Sequence, residues 1–427
     1  MVIHTAQAGE TLSSAAVLYG VPAGILAGIN GLEPSSPLAA GQTLVIRFPR
    51  EVHTVLSGES VYSIALHYGQ SVRTLYQNNP SLGGRGAIYP GETLVIAYDD
   101  MPRRTMAVNA YSYPNIDISL LDTTLPFLTY LTPFTYGITA QGTLVPLADE
   151  LLLAAAPHYR TAALMHLSTL TEASRFDSDR AAVVLESEDL QDTLIRSVLK
   201  MLQEKRYFGL DVDFEYIPPA LREAYAAFIA RLCHALEPLG YPVITALAPK
   251  TSAEQRGLLY EAHDYSLIGA AANAVFLMTY EWGYTYGPPM AVAPLPQVRA
   301  VLDYAVREIA PEKIFMGIPL YGYDWPLPFV QGETRASSIS PVEAVERALH
   351  YDIAIQYDET AQAPYFYYTD RAGREHAVWF EDAQSIEAKL LLAEKYGLQG
   401  VGYWNLTRRF PQNWAILASL FDIESLL

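Results

Sequence analysis

The sequence predicts an α/β protein: a closed (β/α)8 barrel carrying a small α+β insertion, preceded by two βααβ modules. Three observations point there. Beyond residue 100, eight short apolar runs alternate with longer helical stretches, which is the signature of parallel βα units. The first hundred residues repeat themselves at a period of about fifty. Between Trp325 and Trp379 the βα rhythm breaks into closely spaced strand-like runs. A chain of 427 residues suits two or three domains, and the boundaries fall at 1–49, 50–100 and 101–427.

In the repeat, Ile3 to Leu12 (IHTAQAGETL) recurs as Val52 to Val61 (VHTVLSGESV). The correspondence continues through Ala16 and Ala65, Tyr19-Gly20 and Tyr68-Gly69, and Asn30 and Asn79, and each unit closes on one strand, Gly41 to Ile46 or Gly91 to Ile96. Within a unit the order reads strand, helix, helix, strand. The Gly-Glu-Thr/Ser turn supplies a helix-capping hydroxyl at Thr11 or Ser60. His4 and His53 read as strand residues rather than metal ligands, since no Cys or acid cluster accompanies them.

The repeat is similar to the LysM module, a family that binds N-acetylglucosamine-containing polymers such as peptidoglycan and chitin. That resemblance implies a glycan lying along two loops of each unit. In the first these are Gly9, Glu10, Thr11 and Leu12 with Ile29 to Gly31, including Asn30. In the second they are Gly58, Glu59, Ser60 and Val61 with Asn78 to Pro80, including Asn79. Two linked weak sites raise the local substrate concentration. Deletion of residues 1–100 is therefore expected to cost more on insoluble wall than on soluble oligomers.

The barrel strands are expected at Met106 to Tyr111, Phe127 to Pro133, Thr161 to His166, Phe208 to Glu215, Pro242 to Ala246, Ala274 to Thr279, Lys313 to Leu320 and Gly400 to Trp404. A barrel of this kind carries its active site at the C-terminal ends of its strands. Before the eighth strand, Tyr351 to Tyr357, Tyr365 to Thr369 and His376 to Trp379 read as strands separated by Asp/Gly turns, an insertion over about 326–379. It walls one side of the cleft, and its tyrosines suit either a small core of their own or stacking against sugars.

The fourth run, Phe208 to Tyr216, organises the chemistry. Successive strand side chains alternate faces, so Leu210, Val212 and Phe214 share one and Asp211, Asp213 and Glu215 the other, with neighbouring acids about 7 Å apart. Three like charges that close on an apolar strand are costly to ionise together, and at least one keeps a proton near neutral pH, as a general acid requires. A calcium or magnesium loop would bring further oxygen ligands close by, and none is there.

This run resembles the signature strand of glycoside hydrolase family 18, the chitinase-like family, whose pattern is Asp, any, any, Asp, any, Asp, any, Glu. Gly209, Asp211, Asp213 and Glu215 match, while Phe208 stands where many members carry the first Asp. Segments at the ends of strands six, seven and eight, around Tyr280-Glu281, Tyr321 and Trp404, match too. The resemblance spans about Thr105 to Leu427 and implies a TIM barrel.

It further implies catalysis in which the substrate's own 2-acetamido group is the nucleophile. Glu215 then protonates the glycosidic oxygen and later activates water, Asp213 orients the acetamido N–H with Asp211 behind it, and Tyr280 bonds the acetamido oxygen. Trp404 forms the floor under the reacting sugar. Tyr321, Glu281 and Met278 are substrate-side residues, with Glu281 standing where an aspartate is common. No metal or cofactor is called for.

Composition bounds the partners. The net charge is −18, of which the first hundred residues carry −3 and the remainder −15. Such a chain is a poor match for nucleic acid or anionic membrane, both of which select basic patches. The single cysteine, Cys233, lies in an apolar helical pattern as a small buried hydrophobe. No apolar run approaches the roughly 20 residues of a membrane span, and the N-terminus has no secretory pattern. Two LysM modules followed by such a barrel resemble the spore cortex-lytic N-acetylglucosaminidases of endospore-forming bacteria, which are laid down in the spore by the mother cell. The expected partner is peptidoglycan or another N-acetylglucosamine-containing glycan. The alternatives are a chitinase with the same chemistry and a non-catalytic lectin or coat protein.

Overall fold

The computed structural model describes residues 1–84, 86–173 and 176–427. Eight parallel strands close into the barrel: Arg104–Ser112, Tyr130–Pro133, Ala162–Ser168, Gly209–Asp213, Val243–Leu247, Ala274–Leu277, Ile314–Pro319 and Gly400–Trp404. The last pairs with the first, Gly402 opposite Asn109, which completes the ring. A ninth short strand, Phe421–Ile423, adds in parallel to the outer end of the first.

Alternation on these strands sorts the core in two. Outward residues, including Leu210, Val212 and Phe214, pack under the helices in the main hydrophobic cluster. Inward residues form a separate cluster in which Tyr111, Tyr130, Phe276 and Phe315 fill the lumen among alanines. Phe208 joins this inner layer, its ring 5.8 Å from Tyr130. The place of the missing first acid is thus apolar packing. Glycines make room for the large rings: a Cβ on Gly402 would lie 2.4 Å from Phe276, and one on Gly317 2.8 Å from the Tyr280 ring. Cys233 is buried on the helix Arg222–Leu236, and burial pushes its thiol up to about 11.

Several expected boundaries shift, for local reasons. The second strand starts at Tyr130 rather than Phe127, because Pro126 sits in the first turn of a 3-10 segment, Leu125–Phe127, where its missing N–H does no harm. The fourth and sixth strands stop at Asp213 and Leu277, leaving Glu215, Tyr280 and Glu281 on the loops beyond. Lys313 belongs to a 3-10 turn ahead of the seventh strand. That strand ends at Pro319, and Gly322–Pro326 starts a different, antiparallel sheet.

The insertion sheet has five strands in the order Ser337–Ile339, Gly322–Pro326, Glu375–Trp379, Ala363–Thr369 and Gln356–Asp358. The strand expected at Tyr351 to Tyr357 shortens to Gln356–Asp358, because the helix Pro341–His350 ahead of it runs out through a turn, with Asp352 at φ 52°. Ser340 and Glu343 form a capping box with Pro341 in the first turn, so the chain enters a helix and leaves it at Tyr351. Asp324 is the hub: its carboxylate accepts from Arg347, from the Tyr368 hydroxyl at 2.7 Å, and pairs with His376 Nδ1 at 2.7 Å. Phe366 and Tyr368 lie in the insertion's own core with Tyr351 against it, while Tyr367 is exposed.

The two N-terminal modules fold as antiparallel strand pairs, Val2–Thr5 with Thr43–Ile46 and Pro49–Thr54 with Thr93–Tyr98, each holding two short helices. They are fastened to the barrel. Gln412 donates to Thr43 O at 2.6 Å and to Asn30 Oδ1 at 3.0 Å, and Arg409 donates to Gly31 O at 3.0 Å. The insertion joins in: Ile355 N donates to Ala40 O at 2.8 Å. From the second module, Arg73 donates to Pro126 O at 2.7 Å and Leu128 O at 2.8 Å, and Gln77 to Pro126 O at 2.7 Å.

Candidate active site

The acids converge at the C-terminal mouth of the barrel. Parallel register sets Asp211 opposite His166 and Asp213 opposite Ser168, with both acids on the inward face. Glu215 follows after Phe214, which anchors the strand end: its ring stacks on Tyr225 and Phe228, each 5.9 Å away. Its carbonyl accepts from His263 Nε2 at 2.9 Å, while His263 Nδ1 accepts from Ala248 N at 2.8 Å, which fixes the tautomer. Tyr216 then turns through φ 54°, a left-handed conformation that costs a non-glycine residue ~1–3 kcal/mol and that persists only where surroundings impose it. Glu281, facing Glu215, does the same at φ 68°.

Enclosure dominates the electrostatics. Burial pushes the Asp211 carboxyl up to about 7, and among the described residues no donor reaches full hydrogen-bond geometry with either of its oxygens, the Tyr111 phenol offsetting only part of the penalty. Asp213 is raised well above the carboxylate range by burial first and by the charges of Glu215 and Asp211 next. Glu215 is raised to about 6, by burial and then by the charge of Glu281. The Tyr280 hydroxyl is driven well up by burial and then by Asp213, Glu215, Glu281 and Asp211 in turn. Tyr280 therefore stays neutral, a donor within reach of the fields of all four acids. The trio shares its protons as a set, and Glu215 can deliver one.

Trp404 closes the last strand inside an aromatic box, with ring centroids of Phe134 at 4.8 Å, Tyr111 at 5.7 Å and Tyr113 at 5.8 Å. Met278 packs against the inner cluster beside Tyr280 and Trp404. Tyr321 departs from the expected sugar contact. It is buried and its hydroxyl donates to Glu281, so it acts through that carboxylate. Tyr323, from the insertion sheet, donates to both Glu281 oxygens at 3.0 and 3.3 Å. Among the described residues, no group of three His, Cys, Asp or Glu side chains is arranged to hold a metal ion.

One consequence is measurable. A general acid must carry its proton, so kcat/KM falls as pH rises above about 6, where Glu215 ionises. Glu281→Gln removes the negative charge that raises Glu215, and the descending limb moves to lower pH. A limb that stays in place in that variant would detach Glu281 from the acid's titration.

The chain matches glycosyl hydrolases family 18 over residues 176–408. It belongs to that family. LysM domains match at 4–47 and 53–97. Over 427 residues the family 18 chain is 37% identical to the cortical fragment-lytic enzyme of Bacillus cereus, covering 99% of this chain and 98% of that one. Over 331 residues it is 41% identical to the cortical fragment-lytic enzyme of Bacillus subtilis, covering 75% and 76%. The crystal structure of the Bacillus megaterium spore cortex-lytic enzyme SleL superposes with a TM-score of 0.84 at 37% identity, covering 100% of this chain and 99% of that one. The family 18 assignment makes the chain a glycoside hydrolase and its barrel a TIM barrel.

In the LysM domains the structure corrects part of the expected glycan set. Leu12 is wholly buried in the first module's core. Asn30 and Asn79 are buried pins: each amide donates to two backbone carbonyls and accepts from Val45 N or Val95 N. Thr11 and Ser60 cap helices, and Glu10 and Glu59 tie the turn to His4 and His53. Short polar side chains beside a turn satisfy local backbone groups first. Gly9, Thr11, Gly58 and Ser60 remain exposed.

Proposed function

We propose that this chain is an N-acetylglucosaminidase that cleaves β-1,4 bonds after N-acetylglucosamine in spore-cortex peptidoglycan, with retention of configuration and the substrate's acetamido group as nucleophile. Glu215 gives its proton to the glycosidic oxygen as the acetamido oxygen attacks the anomeric carbon. Asp213 accepts the acetamido N–H and steadies the positive charge of the cyclic intermediate, with Asp211 behind it. Tyr280 donates to the acetamido oxygen. Water, deprotonated by Glu215, then opens the ring from the face the leaving group vacated. Trp404 lies under the sugar, and the LysM domains hold the glycan. The enzyme is deposited at the spore cortex by the mother cell.

The observation that carries this reading is the unequal state of the two glutamates. Glu215 is held protonatable near pH 6, whereas both oxygens of Glu281, the other carboxylate at the mouth, are engaged by tyrosine hydroxyls. A two-carboxylate mechanism needs a free nucleophile. A thiazoline analogue of N-acetylglucosamine should therefore inhibit strongly, and indifference to it would point to Glu281 as nucleophile. Substrate choice is tested by product analysis on soluble spore-cortex fragments beside chitin oligomers. Cleavage after N-acetylglucosamine in the former at the higher kcat/KM is the expected result, and preference for chitin overturns it.

A further inference from the structure

The mouth of the barrel is acidic, with Asp211, Asp213, Glu215 and Glu281 gathered there, and the whole chain carries a net charge of −18. Arg408 interrupts that field. It follows Trp404 in the loop after the eighth strand and is half-buried where the barrel meets the insertion. Its guanidinium donates to Ser338 Oγ at 3.2 Å, and Ser338 stands opposite Tyr323, which holds Glu281. Its charge also reaches Tyr113: burial raises that hydroxyl, and Arg408 offsets part of the rise. Burial and then Glu281 raise the Tyr323 hydroxyl, and Arg408 opposes them too. Both tyrosines adjoin Trp404. The Tyr113 ring is 5.8 Å from it, and Trp404 packs against the apolar cluster that holds Tyr323. A cation therefore stands beside the platform on which the reacting sugar lies.

Little ties up this charge. Its carboxylate partner, Glu343 Oε2, is 3.8 Å away on a half-exposed side chain, and that oxygen already accepts from Ser340 N at 2.6 Å as part of a helix cap. An ion pair so open to solvent contributes little. A guanidinium presents several N–H donors in a planar fork that suits a carboxylate or carbonyl oxygen, and among the described residues only Ser338 takes a hydrogen bond from it. Peptidoglycan alternates N-acetylglucosamine with N-acetylmuramic acid, so both neighbours of the N-acetylglucosamine on Trp404 carry a lactyl substituent. That substituent ends in a carboxylate or, where it is capped, in an amide carbonyl. Chitin has a bare hydroxyl at the same place. We propose that Arg408 is a specificity-determining residue: its guanidinium donates to the lactyl oxygen of the muramic sugar next to the reacting one, and this contact separates peptidoglycan from chitin. Without it, an anionic glycan meets an acidic mouth with no counter-charge beside Trp404.

The inference rests on the peptidoglycan reading above, so kcat/KM of the unaltered chain on soluble spore-cortex fragments and on chitin oligomers is measured first. A preference for chitin at that stage sinks the substrate reading before any variant is made. Arg408→Met removes the fork and the charge while keeping much of the stem's packing. We expect the ratio of kcat/KM on cortex fragments to that on chitin oligomers to fall by about 10- to 100-fold, the range of one hydrogen bond to a charged group, with the loss carried by KM. Arg408→Lys keeps the charge without the fork, and its ratio should fall by less than about tenfold. Added salt should narrow the preference of the unaltered chain where the lactyl group is a free carboxylate and spare it where the group is an amide, which tells the two forms apart. The position is half-exposed, so both variants fold, and an unmoved thermal melt checks this. A ratio that stays within about twofold in Arg408→Met, whether activity is kept or lost on both substrates alike, overturns the assignment and leaves the acetamido-assisted mechanism standing.

Discussion

Glu215→Gln abolishes turnover of soluble spore-cortex fragments, lowering kcat by ~10²–10⁴-fold, while the melting temperature holds or rises. The amide has the shape of the carboxyl and cannot donate a proton to the leaving oxygen. It also cannot charge, which relieves its repulsion with Asp213 and Glu281. The local backbone is held independently of that side chain, by the Phe214 ring stack and by His263 on the Phe214 carbonyl, so the loop keeps its course. A kinetic assay beside a thermal melt reads both outcomes. Activity within tenfold of the unaltered chain would remove Glu215 as the acid.

Deletion of residues 1–100 has the second large effect, and the structure changes what it measures. Read from the repeat alone, the modules are a detachable targeting device. In the fold they cover part of the barrel. Phe410 and Trp414 line the junction with Gly31 and Leu32 and are buried in the same continuous core as Leu26 and Ile29 of the first module. Re-exposing such side chains costs ~1.5–3 kcal/mol each. Gly41, at φ +81°, sits so close that a Cβ would lie 1.9 Å from Ile355 O, and any other residue there would be strained twice over. We expect the 101–427 fragment to melt at least about 10 °C lower, since a loss of 1 kcal/mol moves a domain of 150–250 residues by ~2–4 °C, and to lose activity on soluble and insoluble substrate alike. An unchanged melting temperature with selective loss on insoluble wall would restore the detachable picture.

The parts of the molecule legible in the sequence are those written in a strict period. Alternation on Phe208 to Glu215 identified both the inward face that carries the acids and the outward apolar face, because the period of two sorts them without reference to the rest of the chain. The repeat was legible because both copies kept the same turn and the same closing strand. Less legible were residues whose role depends on neighbours from distant strands. His263, which props the Phe214 carbonyl from the loop after the fifth strand, had no sequence signal. Asn30 and Asn79 misled for the opposite reason: a repeated Asn at a loop suits a ligand contact and a backbone pin equally well, and burial decided for the pin. The strand expected from Tyr351 starts only at Gln356, because the helix opened by Ser340-Pro341 needs a turn after His350 before the chain can extend.

The fastening of both LysM domains to the barrel has one more consequence. A wall-binding unit on a floppy tether lets a hydrolase roam, so cuts scatter at random around the anchoring point. Here the grip on the strand and the scissors are cast as one rigid tool, and the distance between them along a polysaccharide is built in. Fragment lengths from long chains should therefore cluster around a preferred value, like a cloth cut against a fixed rule.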